Sequence, residues 1–142
     1  MIKQVFDIES YWKVIVYYDV DFNLFARIVK ELIYAGASTE IIKEAYDMLK
    51  SGQAKAATYN NIDWHISVVM FNPHKSKRDY INSIVHEAEH VKQAMLVAYD
   101  VEDEGEPPAY TIGHLVERMY HVFGEMVCNC KAYDYKRRRL LV

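Results

Sequence analysis

Ser76-Lys77-Arg78-Asp79-Tyr80-Ile81-Asn82-Ser83-Ile84-Val85-His86-Glu87-Ala88-Glu89-His90 carries an apolar stripe and a polar constellation on one period. Ile84, Ala88, Val91 and Met95 recur at helical steps of three and four, with Ile81 and Val85 beside them. His86, Glu87 and His90 fall on an adjacent face, near Ser83, Ala94 and Val97. The spacing predicts a helix over 77–98, with one side in the core and the other lining a cleft. Ser76 followed by Asp79 resembles a capping box, with Asp in place of the usual Glu. Fraying is expected near Tyr99-Asp100.

The polar face has defined chemistry. Side chains four apart lie one above the other on a helix, so the imidazoles of His86 and His90 can bind one tetrahedral zinc ion. Glu87, directly after the first histidine, can reach a water held there and act as general base. Two histidines leave such a site short of one protein ligand. The candidates are Glu102, Asp103, Glu104, Glu106 and His114. Glu106 is favoured because it opens the last helix, in Glu106-Pro107-Pro108-Ala109-Tyr110. Small Ala109 and Gly113 are expected to let that helix approach the motif closely. Tyr110 and His114 follow Glu106 at steps of four, so all three can share a cleft. Tyr110 is then a candidate donor to a developing oxyanion, its plainer role being packing between helices. Glu89 points away from the histidines and is expected in solvent. His65, His74 and His121 have no helical partner at ligand spacing and read as structural or exposed.

Outward from the motif, residues 11 to 20 are aromatic and β-branched and predict a strand. Asp21 can cap a helix over 22–35 that Gly36 ends. Ser38 caps a second, closed by Gly52, giving a helical hairpin. Asn60-Asn61 predicts a turn and residues 62 to 71 a strand, with Ile62, Trp64, Ile66, Val68 and Met70 on one face. Residues 56 to 59 can pair with it. A basic loop covers 73–78 and an acidic one 101–106. Pro107-Pro108 opens the last helix, whose stripe is Ile112, Val116, Met119, Phe123, Met126, Cys130 and Tyr133. That helix is expected to reach about Arg139, with Lys136 to Arg139 matching its C-terminal dipole.

The chain of 142 residues suits one domain with a real core. A net charge of -3 gives no case for nucleic acid as a partner. Residues 1 to 7 include acid where a signal peptide needs an apolar run, and no run spans a membrane, so a cytoplasmic protein without a membrane partner is expected. Cys128 and Cys130 point to opposite sides of a helix and read as reduced thiols.

His86-Glu87-Ala88-Glu89-His90 matches the first motif of the zincin metallopeptidases. Glu106-Pro107-Pro108-Ala109 resembles the Glu-x-x-Ala segment of their gluzincin-like group, in which a glutamate is the third ligand. The layout of residues 56 to 120 is similar to that of small predicted peptidases from gut bacterial and phage genomes. The resemblance implies an α+β zincin-like fold, a small sheet with a strand beside the motif helix. It also implies a single Zn2+ on His86, His90 and Glu106, with Glu87 as base. Two prolines after Glu106 and a carboxylate-rich loop depart from the family pattern, and the chain is small for a deep specificity pocket. The expected function is a zinc-dependent hydrolase, a metallopeptidase taking a peptide or protein substrate along an edge of strand 64–71. The alternative is a non-catalytic zincin-fold structural or interaction protein of a phage or mobile element, its metal structural or absent.

Overall fold

Ile2–Ile8 (β1) and Trp12–Tyr18 (β2) form an antiparallel hairpin in a computed structural model that describes residues 1–9 and 11–127. Ala56–Asn61 (β3) and Ile66–Phe71 (β4) form a second hairpin. β2 and β4 lie side by side in parallel, with Lys13 opposite Ile66 and Tyr17 opposite Met70. The result is a four-stranded mixed sheet of order β1-β2-β4-β3. Phe25–Tyr34 (α1) and Thr39–Lys50 (α2) connect β2 to β3, and Lys77–Tyr99 (α3) and Glu106–Val127 (α4) follow β4. The fold class is α+β, as expected. No helix among the described residues is long and apolar enough to cross a membrane.

Strand periodicity divides the core. Trp12, Val14, Val16 and Tyr18 of β2 and Val69 and Phe71 of β4 face α3 and α4. Ile15, Tyr17, Ile66, Val68 and Met70 point the other way, onto Phe25, Ile28, Leu32 and Leu49 of α1 and α2. The central strands are therefore covered on both faces, and this is why they read as continuous apolar runs.

The structure departs from expectation along the sheet and on α4. β1 was not anticipated, although Phe6 and Ile8 alternate inward on it. Asn60 and Asn61 lie within β3, and the turn falls at residues 62–65 instead. There Asn61 Oδ1 accepts from the Trp64 N–H at 3.1 Å, and His65 adopts a left-handed φ of 53°. Ile62 and Trp64 are consequently exposed rather than on the buried strand face. Trp64 reaches back over Gly36, where a Cβ would stand 2.9 Å from its ring and 2.7 Å from Asn61 Nδ2, at a φ of +89°. α4 buries Thr111 and Leu115 in its first half, one residue round from Ile112 and Val116, which are partly buried. Finally, β4 is an interior strand, so the edge expected at 64–71 belongs to β3. Cys128, Cys130, Tyr133 and the basic run 136–139 lie outside the described residues.

Tyr18 ties the sheet to α4: its hydroxyl lies 2.7 Å from Gln4 Oε1 and 3.2 Å from the Met119 carbonyl oxygen. Burial pushes its ionisation well above the ordinary tyrosine value, and burial followed by Glu31 does the same for Tyr17. Both groups hold their protons longer folded than unfolded. Their contribution is therefore complete below about pH 10 and is lost as pH rises above it. Urea unfolding should show stability falling above about pH 10 by up to ~1.4 kcal/mol per pH unit per tyrosine. Tyr18→Phe should flatten that slope. An unchanged slope would contradict its assignment.

Candidate functional site

α3 begins where Ser76 Oγ accepts from the Asp79 N–H at 3.1 Å, and it ends at Asp100 in a left-handed conformation of φ 53°. Ile84, Ala88, Val91 and Met95 are buried as their spacing predicts, joined by Tyr80. Ile81, Val85 and Val97 are exposed. Packing this stripe under the sheet turns the next face towards edge strand β3.

That strand holds the motif with two side chains. Thr58 Oγ1 donates to Glu87 Oε2 at 2.5 Å, and Asn60 Nδ2 donates to the His90 carbonyl oxygen at 3.3 Å. Glu87 is only 5% exposed, so the Thr58 hydroxyl supplies a hydrogen bond that a buried carboxylate requires. His86 and His90 are exposed, and their Nε2 atoms stand 3.2 Å apart. Two imidazoles on one tetrahedral zinc, at ordinary zinc–nitrogen lengths, have nitrogens about 3.3 Å apart. The pair therefore fits two ligand positions. His86, Glu87 and His90 share a cavity of about 710 Å3 with Thr58 and Asn60 of β3 and with Glu44 and Met48 of α2. The cavity wraps the outer edge of the sheet, between the helices of its two faces.

The remaining predicted residues lie elsewhere. Glu106 is exposed in the first turn of α4 and does not line this cavity. Tyr110 is 61% exposed and lines, with His114, a separate groove of about 630 Å3 beside Tyr11, Leu96 and Tyr99. Ala109 and Gly113 are exposed, and the face of α4 turned inward carries Pro108, Thr111 and Leu115 instead. The close approach expected from the two small residues is therefore absent. Among the described residues, no group of three or more His, Cys, Asp or Glu side chains is placed to hold a metal ion. His114 Nδ1 lies 3.7 Å from Glu9. His74 is buried, His65 packs against Trp12 and Tyr99 at 5.2 Å each, and His121 is exposed.

Lys92 explains where one competing carboxylate goes. Its ammonium group, on a side chain 8% exposed, contacts Asp103 Oδ1 at 3.0 Å and Glu89 at 2.8 Å. Burial alone would lower its pKa, but hydrogen bonds with Glu89 and Asp103 outweigh burial and hold it above the ordinary lysine value. The acidic loop is thus fastened to α3 away from the histidines. The Glu89 to Lys92 spacing was the available signal. Nothing local in sequence could have identified Thr58 or Asn60 as partners of the motif. Comparison with protein-family models, curated proteins and solved structures finds no match to this chain.

Proposed function

We propose that the chain is a zinc-dependent hydrolase with a zincin-like fold, and that its substrate is a peptide. The observation that carries this reading is the 3.2 Å separation of two imidazole Nε2 atoms beside a buried glutamate in one open cavity. His86 and His90 would hold the metal. The remaining positions would be filled by solvent or by Glu106, the ligand that the resemblance implies. When bound, zinc supplies Lewis-acid activation of water and of the scissile carbonyl. Glu87 takes the proton as water attacks and delivers it to the leaving amine. Thr58 orients that carboxylate. The outer edge of β3 borders the same cavity, so an extended peptide would bind by strand addition there, with its backbone passing Thr58. Tyr110 enters this scheme only if α4 is repositioned, because its side chain lines the other groove.

Elemental mass spectrometry of the purified chain tests the proposal. About one zinc per chain is expected, lost in His86→Ala. Glu106→Ala decides the third position: retained zinc leaves it to solvent, and lost zinc returns Glu106 to the ligand set. A wild-type chain that takes up no zinc when it is offered would overturn the enzyme reading. It would favour the non-catalytic zincin-fold alternative, to which the missing convergence of a third ligand among the described residues also points.

A further inference from the structure

A second pair of reactive groups reaches the same cavity through one of its members, Ser83, with the other buried behind it. His74, on the loop between β4 and α3, is 2% exposed, and Ser83, on α3, is 8% exposed. His74 Nε2 lies 2.7 Å from Ser83 Oγ, and His74 Nδ1 lies 2.5 Å from the Asn72 carbonyl oxygen. A carbonyl oxygen only accepts, so Nδ1 carries the ring proton. In the neutral ring Nε2 is then the acceptor, and the Ser83 hydroxyl donates to it. The ring is held flat against Tyr80, with centroids 4.3 Å apart. Tyr80 is itself fixed, since its hydroxyl oxygen accepts from the Asp19 N–H at 3.2 Å. Ser83 lies one helical turn before Glu87 and lines the cavity.

These are the parts of an activated nucleophile: a hydroxyl, a base within reach, and a third group that fixes the base's tautomer. We propose that Ser83 is a nucleophile with His74 as its base, and that it takes an acyl group from a small carboxylic ester entering this cavity. Ser83 Oγ forms a bond to the acyl carbon as its proton passes to His74 Nε2. The carbon–oxygen bond to the alcohol then breaks, and the departing alkoxide takes the proton from His74. Water, deprotonated by His74, releases the acid and restores the serine. No metal takes part, so this inference stands or falls separately from the zinc reading.

The test treats the full wild-type chain with a small fluorophosphonate, which loses fluoride on reaction, and maps the adduct by peptide mass spectrometry. The expected result is one adduct on Ser83, formed at least about tenfold faster than on exposed Ser38, Ser51 or Ser76 of the same molecules. His74→Gln should slow labelling at least about tenfold. A metal chelator should leave it unchanged. No adduct on Ser83, or one formed no faster than on the exposed serines, would overturn the proposal. A wild-type rate in folded His74→Gln would do the same. If His74→Gln does not fold, the comparison among serines in the wild type still decides.

Discussion

Glu87→Gln is expected to keep its zinc and to lose peptide hydrolysis by about 10²–10⁴-fold. Glutamine has the size of glutamate, and its amide oxygen can still accept from the Thr58 hydroxyl, so the wall of the cavity stays in place. What it cannot do is take a proton from water. Because Glu87 is 5% exposed, replacing its charge also relieves a buried carboxylate, and the thermal midpoint should not fall. Zinc content, melting and turnover of an extended-peptide library, measured together, separate the possible outcomes. Undiminished turnover would remove Glu87 from the chemistry. Loss of zinc would make it a ligand instead of a base.

The second large effect is expected at a core residue outside the cavity lining. Trp12 is fully buried, stacks on His65 at 5.2 Å and meets Tyr99 edge-on at 6.1 Å. Trp12→Ala should lose about 3–5 kcal/mol, a large part of the total stability of an ordinary domain. Its indole N–H also donates to Ser67 Oγ at 2.9 Å, and that hydroxyl donates to Asn60 Oδ1 at 2.5 Å. Asn60 in turn donates to the carbonyl oxygen of His90. Trp12→Phe keeps most of the packing but cuts this relay. It should therefore weaken zinc binding out of proportion to its smaller loss of stability. Urea unfolding beside zinc titration checks both parts, and a Trp12→Ala loss under about 1 kcal/mol would contradict the packing account.

Legibility in the sequence followed the range of the forces involved. α3 could be read because its apolar stripe, its Ser76 cap and its polar face share one helical period. Ser38 likewise marks α2 through a side chain that accepts from the Ile41 N–H. The face of α4 was less determinate: Thr111 with Leu115 and Ile112 with Val116 are each plausible stripes, about 100° apart, and the surface of α3 selects the first. β1 has only Phe6 and Ile8 as strongly inward residues, and β2 completes its meaning. The histidine pair and Glu87 form a local constellation, and the structure brings them to one cavity. A third ligand depends on how a later helix docks. The spacing of Glu106 contains no information about that, nor about the attraction of Asp103 to Lys92.

The parallel contact between β2 and β4 also governs the order of assembly. The β1–β2 hairpin is local and can form as soon as both strands exist. The other edge of β2, from Lys13 to Tyr17, gains its partner only after α1, α2 and β3 have been made. Until then Val14-Ile15-Val16-Tyr17 presents unpaired backbone groups and apolar side chains on both faces, a template for the same strand of another copy. Refolding should therefore be slower than for a helical bundle of this length, and its yield should fall as protein concentration rises. A strand that ends covered on both faces begins as a segment prone to self-association.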